Sequence, residues 1–234
     1  MVRVLVVEDD QVVRESLAAH LTRGGHAVVA VDDGPSALAA YASGQPDIVL
    51  LDLMLPGMGG LEVCRRLRTL RADLPLIMVT ARGQEHERVQ GLQHGADDYV
   101  TKPFSLRELD LRIRSVLRRS APPPEAVVTE LVDGDLTVDR VARTATRGGT
   151  PLRLTARELD LLDWLIAHPG QVCSRADLIR EVWGWQAGDD STVTVHVRRL
   201  REKVESDPSS PRRLVTVFGK GYRWVPAQES THGP

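Results

Sequence analysis

Cysteine is nearly absent from this chain of 234 residues. Cys64 and Cys173 stand far apart, with no partners at metal-ligand spacing. They offer neither a disulfide framework nor a zinc site, and both read as buried apolar fillers in a reducing cytosol. Long apolar runs are also missing; none approaches the roughly 18–20 residues of a membrane span. The opening stretch, Met1-Val-Arg-Val-Leu-Val-Val-Glu-Asp-Asp, turns acidic by position 8 and carries no small-residue cleavage site. It does not read as a signal peptide, so no membrane association and a cytoplasmic location are expected. No surplus of positive charge exists either: 30 Lys and Arg face 32 Asp and Glu, a formal charge of −2. That excludes a uniformly basic coat for nucleic acid but leaves room for a local basic face. Internal repeats are lacking. What is present is the balance of a globular protein with a real core, 42% hydrophobic and 26% charged residues, over a length that suits two ordinary domains.

Residues 1–119 alternate short Val/Ile/Leu-rich runs with amphipathic stretches. Strands are predicted at Arg3–Glu8, Ala27–Val31, Asp47–Leu51, Leu76–Thr80 and Asp98–Thr101, and helices near 11–23, 34–43, 60–70, 84–94 and 105–119. The apolar runs suit strands buried on both faces of a parallel sheet, and Ser105-Leu-Arg-Glu108 is a capping box opening the last helix. Strict alternation of five strands with five helices predicts an α/β domain with a doubly wound five-stranded parallel sheet. Three consecutive prolines in Ser120-Ala-Pro-Pro-Pro-Glu-Ala126 then favour a stiff linker, placed at 120–127.

The second half, 128–227, has a different texture. Strand-like pieces at Leu131–Val132, Leu136–Val138, Thr144–Arg147 and Leu152–Leu154 are separated by Asp-Gly and Gly-Gly turns. Three helices follow. One opens on the capping box Thr155-Ala-Arg-Glu158, one starts at Ser174-Arg-Ala-Asp177 and ends near Trp183-Gly184, and one begins near Ser191. Strands Arg213–Phe218 and Tyr222–Val225 close a hairpin around Gly219-Lys220-Gly221. Helices followed by a hairpin predict an α+β winged helix-turn-helix, and 228–234 reads as a disordered tail.

The predicted strands of the first half carry Glu8-Asp9-Asp10, Asp52, Thr80 and Lys102 at their carboxyl ends, where open parallel sheets bind ligands. Carboxylates converging from two strand ends repel unless a hard cation sits between them, and Mg²⁺ takes one or two carboxylates plus phosphate oxygens. Lys102 adds a fixed cation and Thr80 a hydroxyl, which together suit a phosphoryl group. Polar loops alone explain one or two such positions. They do not readily explain why Lys102, one of only three lysines beside 27 arginines, ends the fifth strand.

Val-Glu-Asp-Asp at 7–10, Leu-Asp-Leu-Met-Leu-Pro-Gly-Met-Gly-Gly at 51–60, Val-Thr-Ala-Arg at 79–82 and Gly-Ala-Asp-Asp-Tyr-Val-Thr-Lys-Pro-Phe at 95–104 resemble the receiver domain of bacterial two-component response regulators. The resemblance implies a flavodoxin-like fold with Asp52 as phosphoacceptor and a sensor histidine kinase as donor. Asp9, Asp52 and the Met54 backbone carbonyl would ligate Mg²⁺, with Glu8 acting through water. Lys102 would pair with phosphoryl oxygens ahead of a cis Pro103. Thr80 and Tyr99 correspond to the family's switch pair, in which Tyr99 turns inward on activation; taken alone, Tyr99 is a half-buried strand aromatic. Such a protein is a switch rather than a metabolic enzyme.

Charge is dense on the face made by the predicted helices at 84–94 and 105–119 and the strand between them. Arg88, Asp97, Asp98, Glu108, Arg112, Arg118 and Arg119 resemble the family's symmetric dimer face, which implies Arg88–Glu108 and Asp98–Arg112 pairs across a two-fold axis. Exposed pairs of this kind contribute only ~0–1 kcal/mol each, but self-complementary charge suits an isologous interface.

Residues 121–234 are near neutral, yet Ser191–Val225 holds eight basic and three acidic side chains. A basic helix-plus-hairpin is the electrostatic footprint of a DNA reader. Thr192-Val-Thr-Val-His-Val197 alternates like a strand, but Val193, Val197, Leu200 and Val204 continue at helical spacing and predict one buried stripe. Ser191, Val195, Arg198, Arg199 and Glu202 would then face outward, the arginines toward guanine edges or phosphates and Val195 toward a thymine methyl.

Leu-Thr-Ala-Arg-Glu-Leu-Asp-Leu-Leu at 154–162, Glu-Val-Trp-Gly at 181–184, Val-His-Val-Arg-Arg-Leu-Arg-Glu-Lys at 195–203 and Gly-Lys-Gly-Tyr-Arg-Trp at 219–224 resemble the effector domain of the OmpR/PhoB subfamily. This resemblance implies that Thr192, Thr194, His196, Arg198, Arg199 and Arg201 serve the major groove of double-stranded DNA or its flanking phosphates. Arg213, Thr216 and Tyr222 would hold the backbone through the wing, with Lys220 on a phosphate, and Gly184–Asp190 would face RNA polymerase. Ser191 and Phe218 stand where some relatives place arginines. The reading is a transcription factor whose phosphorylation favours a homodimer on repeated half-sites. Two alternatives stay open: a regulator that binds DNA without phosphorylation, its receiver a dimer scaffold, and a Mg²⁺ phosphatase of the haloacid-dehalogenase class. The latter wants a second acid two residues after its nucleophile, where this chain has Met54.

Overall fold

The structure, a computed structural model, describes residues 1–81, 91–118, 129–185 and 190–227. The chain divides into two compact units, Met1–Arg118 and Arg119–Pro234. Among the described residues no helix is long and apolar enough to cross a membrane.

The first unit runs β1 (Arg3–Val7), α1 (Gln11–Arg23), β2 (Ala27–Val31), α2 (Gly34–Gly44), β3 (Ile48–Asp52), α3 (Gly60–Leu70), β4 (Leu76–Ala81), β5 (Asp98–Lys102) and α4 (Leu106–Arg118). The strands form one parallel sheet in the order β2-β1-β3-β4-β5. The order reverses between β1 and β3, which opens a crevice at their carboxyl ends. Alternate residues of the inner strands pack with Leu17 and Leu21 of α1 and with Leu109 and Ile113 of α4; Val63, Cys64 and Leu67 of α3 are also buried. Asp10 caps α1 by accepting from the Val13 amide at 3.0 Å, and Asp33 caps α2 from Ser36 at 2.7 Å. Ser105 accepts from the Glu108 amide at 3.0 Å at the start of α4. β2 departs from the expectation of burial on both faces: as an edge strand it leaves Val29 and Ala30 exposed. Of the predicted helix at 84–94, residues 84–90 lie outside the described residues.

The second unit begins with the antiparallel sheet β6 (Glu130–Asp133), β7 (Leu136–Asp139), β8 (Thr144–Arg147) and β9 (Thr150–Pro151). Then come α5 (Ala156–Ala167), β10 (Val172–Cys173), α6 (Arg175–Leu178), which widens into a π turn at Ile179–Trp183, α7 (Asp190–Val204), β11 (Leu214–Val217) and β12 (Gly221–Trp224). The predicted strand at Leu152–Leu154 is replaced by a tight turn, Leu154 N–H donating to Leu152 O at 3.0 Å, and the strand lies earlier at Thr150–Pro151. The hairpin has a third strand, β10, pairing with β12. Gly221 permits that pairing, since a Cβ there would stand 2.0 Å from the Cys173 carbonyl oxygen. Trp183, Val193, Val197, Leu200, Leu214 and Trp224 join one core with the apolar face of α5. The predicted linker 120–127 and tail 228–234 lie outside the described residues.

Candidate functional site

Glu8 follows β1 and Asp52 ends β3, so the switch of strand order sets two carboxylates side by side. Both are buried, while Asp9 is exposed. Ligand oxygens of Glu8, Asp9 and Asp52 lie within 4.8 Å of one another. Gly60 keeps α3 close to this strand end: a Cβ on it would stand 2.1 Å from the Asp52 carbonyl oxygen. The Met54 amide donates to Asp52 Oδ1 at 2.9 Å, which leaves Oδ2 facing Lys102. Lys102 Nζ lies 2.6 Å from Asp52 Oδ2 and 2.6 Å from Glu8 Oε1. The Lys102–Pro103 bond is cis.

Burial pushes the Glu8 carboxyl up to about 7, against the Lys102 hydrogen bond and with added repulsion from Asp52. Burial works to lower the Lys102 ammonium, but the two carboxylates outweigh it and hold it above its ordinary value. Glu8 Oε2 is buried without a hydrogen-bond partner. An orphaned carboxylate oxygen in a three-acid pocket fits a hard divalent cation, which would satisfy it.

Thr80 is buried near the end of β4, one residue beyond Val79, the register partner of Asp52. Tyr99 on β5 is also buried, 8% exposed. The charged face differs from expectation. Asp97 is fully buried, ion-paired with Arg68 at 2.7 Å and accepting from the Leu76 amide, so it belongs to the interior. Asp98 is likewise buried, and Arg112 binds it at 3.0 Å and Glu108 at 2.8 Å within the same chain. Asp97 and Asp98 are therefore interior groups with ion-pair partners in their own chain. Arg88 and Arg119 lie outside the described residues, and Arg118 ends α4.

In the second unit α7 packs against both α5 and α6, and its buried arc is wider than one stripe. Thr192, Val195, His196 and Arg199 are all buried, beside the predicted Val193, Val197, Leu200 and Val204. His196 stands edge-on to Trp183, ring centroids 5.1 Å apart, and its Nδ1 meets Thr192 O at 2.8 Å. Arg199 turns inward to Glu158, 2.7 Å away, and Lys203 pairs with the same carboxylate. Burial drives the Glu158 carboxyl up, but the Arg199 and Lys203 charges prevail and hold it below the usual carboxylate range. Thr194, Arg198 and Glu202 keep the exposed side of α7. Arg201 donates to Leu214 O at 2.9 Å and to Thr216 Oγ1 at 2.8 Å, which ties α7 to the hairpin. Arg213 is held at the hairpin's foot by Asp135. Thr216, Phe218, Lys220 and Arg223 are exposed, and Tyr222 is buried with the guanidinium carbons of Arg175 and Arg201 at 5.2 and 5.9 Å from its ring centroid.

Residues 4–114 match the family described as response regulator receiver domain, and 149–224 match transcriptional regulatory protein, C terminal. The sensory transduction protein RegX3 of Mycolicibacterium smegmatis is 48% identical over 226 residues, spanning 95% of this chain and 99% of that one. The chain belongs to the OmpR/PhoB-type two-component response regulators. The response regulator MprA of Mycobacterium avium is 46% identical over 221 residues, 94% of this chain and 96% of that one. Among solved structures, DrrB of Thermotoga maritima, described as an OmpR/PhoB homolog, is 29% identical with a TM-score of 0.52, covering 96% of this chain and 99% of DrrB. A mutant of RitR shares the fold, with a TM-score of 0.77 at 24% identity over 97% of this chain and 100% of that one.

The response regulator thus has a receiver and a DNA-binding unit, with a sensor kinase and DNA as its partners. Its receiver brings Glu8, Asp9, Asp52 and Lys102 together as the strand ends suggested. In its DNA-binding unit Thr192, Val195, His196 and Arg199 are buried on α7 and Tyr222 at the hairpin base, so Val195 and Arg199 do not face outward as expected and α7, packed against α5 and α6, has a narrower exposed side. Arg175, at the start of α6, escaped sequence reasoning. Its Nε lies 3.4 Å from Thr194 Oγ1 and its guanidinium lies over Tyr222, so it borders the exposed side of α7. Arg223 was also missed, although strand alternation between buried Tyr222 and Trp224 was enough to place it outward.

Proposed function

We propose that Asp52 accepts a phosphoryl group from the phosphohistidine of a sensor kinase and that this switches DNA binding by the second unit. The observation that carries it is Lys102 Nζ spanning Asp52 and Glu8 beside an unpartnered Glu8 oxygen. Asp52 attacks phosphorus, an acyl phosphate bond forms, and the P–N bond breaks to release the imidazole. A carboxylate must approach a centre ringed by negative oxygens, and Lys102 offsets that repulsion. Asp9, Asp52 and the Met54 carbonyl would hold Mg²⁺, with Glu8 acting through water; bound there, the ion supplies further positive charge for the phosphoryl oxygens. The hydroxyl of Thr80 is the group that turns to the new phosphoryl, with Tyr99 filling behind it.

On DNA, Thr194 and Arg198 read the major groove, while Arg175, Lys220 and Arg223 hold phosphates, supported by the exposure of Thr194, Arg198, Lys220 and Arg223 and by the place of the half-buried Arg175 beside Thr194. Arg201 and Thr216 fix the wing against the helix. A homodimer on repeated half-sites, contact of RNA polymerase with Gly184–Asp190 and a cytoplasmic location complete the reading; residues 186–189 of that loop lie outside the described residues. The test is intact-mass analysis after incubation with acetyl phosphate and Mg²⁺. One phosphoryl group should be gained, and it should be absent in Asp52→Asn and in EDTA. No gain with either acetyl phosphate or a phosphorylated kinase would assign the chain to regulators that work without phosphorylation.

A further inference from the structure

Arg14, in the first turns of α1, takes up three consecutive carbonyls of the acid run. Its Nη1 donates to Glu8 O at 2.8 Å and to Asp9 O at 2.9 Å, and its own amide donates to Asp10 O at 2.9 Å. The last is an ordinary helical bond; the first two belong to the side chain. One guanidinium nitrogen carries two protons, so Nη1 serves both carbonyls and has none to spare. The loop it holds lies beyond the sheet: the Glu8 amide still donates to Val31 O at 3.0 Å, and α1 begins at Gln11.

Of the three acids that converge on the pocket, Asp9 has the least support. Glu8 and Asp52 are buried and share Lys102, and Asp52 also accepts from the Met54 amide. Asp9 is exposed, and its carboxylate takes no hydrogen bond among the described residues. Its direction is therefore a matter of backbone. Peptide groups are planar, so the two planes on either side of a Cα define its φ and ψ and with them the Cα–Cβ bond. The planes flanking Asp9 are those of the Glu8 and Asp9 carbonyls. Arg14 binds both, and the direction so fixed brings a carboxylate oxygen of Asp9 within 4.8 Å of those of Glu8 and Asp52.

We propose that Arg14 is a positioning residue for the divalent cation: it holds Asp9 aimed into the pocket ahead of binding, and touches neither the ion nor the phosphoryl group. This rests on the reading of the pocket as a Mg²⁺ site and adds the residue that organises its exposed ligand. Without Arg14 the ion itself has to order the loop, and that ordering subtracts from affinity. Groups that orient a metal ligand typically cost about 10–100-fold in affinity when removed. The loss falls on capture of the ion, because a saturating concentration restores the same pocket.

Binding to the full chain would be followed with Mn²⁺, which shares the charge and the carboxylate preference of Mg²⁺, through loss of the free ion's paramagnetic resonance signal. Phosphorylation by acetyl phosphate would be read by intact mass across a Mg²⁺ series. Arg14→Ala should bind Mn²⁺ about tenfold more weakly and need about tenfold more Mg²⁺ for half the maximal rate, while the maximal rate stays within about twofold of wild type. Arg14→Lys keeps the charge but loses the fork and some reach, so its Mn²⁺ affinity should fall between the two. Ile113→Ala, a truncation in the buried core of the receiver, controls for lost stability and should leave Mn²⁺ affinity in place.

Mn²⁺ affinity within about twofold of wild type in both Arg14→Ala and Arg14→Lys would overturn the proposal. So would an equal loss in Ile113→Ala, which would reduce the effect to stability. A lower maximal rate at unchanged affinity would also sink it, since Arg14 would then act in the transfer itself. If Arg14→Ala does not fold, Arg14→Lys carries the comparison by the same criterion. If the wild-type chain binds no Mn²⁺, the metal reading of the pocket falls and this role with it; if wild type binds and the variants match it, the pocket stands and the role alone falls.

Discussion

Arg198 and Arg199 are consecutive on α7, yet only the first keeps its head in solvent. A helix turns about 100° per residue, and that rotation aims Arg199 at Glu158 while Arg198 sits 69% exposed beside Glu202. Sequence alone could not choose between them, because Glu158 is far away in the chain and its own position depends on the capping box with Thr155. The acid pocket was legible for the opposite reason: each of its groups ends a strand, and one parallel sheet gathers those ends. Arg198→Ala should therefore weaken DNA binding by about 1–3 kcal/mol and relax base preference, with no change in Tm. Arg199→Ala should instead destabilise the second unit by about 3 kcal/mol, read from urea titration of tryptophan emission, by removing one partner of a buried pair. A loss of affinity with intact stability in Arg199→Ala would return it to the reading surface.

Glu158 is where two helices meet, since it closes the cap of α5 and takes two cations from α7. Its carboxyl titrates below the unfolded value of 4.5, so the fold favours the ionised form. The stability it contributes is complete above that value and is lost as pH falls through the lower folded pKa. Melting of the second unit should thus weaken progressively below about pH 4.5, and Glu158→Gln should start less stable at pH 7 and show a flatter profile.

The bounds of α1, α3 and β2 were legible to the residue, because apolar spacing acts locally and, in α1, the Asp10 cap acts with it. β10 was not, for a two-residue strand is defined by its partner β12 rather than by its own composition. The apolar residues Leu152 and Leu154 imitate a strand while they serve the entry to α5.

Each unit closes its own core, and Trp164, Trp183, Trp185 and Trp224 all belong to the second. Tryptophan emission therefore reports one half of the molecule and far-ultraviolet circular dichroism both. Leu50→Ala, which empties a buried site in the receiver, should cost about 2–5 kcal/mol there. It should move part of the dichroism curve in urea and leave the tryptophan curve in place. Phosphorylation acts on the whole chain differently. Acetyl phosphate should raise affinity for a duplex with two half-sites at least tenfold, with little effect on a single half-site, because pairing two readers raises effective concentration. Asp52→Asn should abolish the gain.

Arg112 already holds Asp98 and Glu108 within its own subunit. If two receivers meet through this face, no new charge has to be neutralised and none left bare; the guanidinium changes neighbours in an exchange that conserves the number of ion pairs. Such a reaction has little electrostatic driving force of its own, so its direction is set by small changes in shape and by apolar groups such as the exposed Leu111. Association through it is then poised near balance, a property that lets a single phosphoryl group tip it either way.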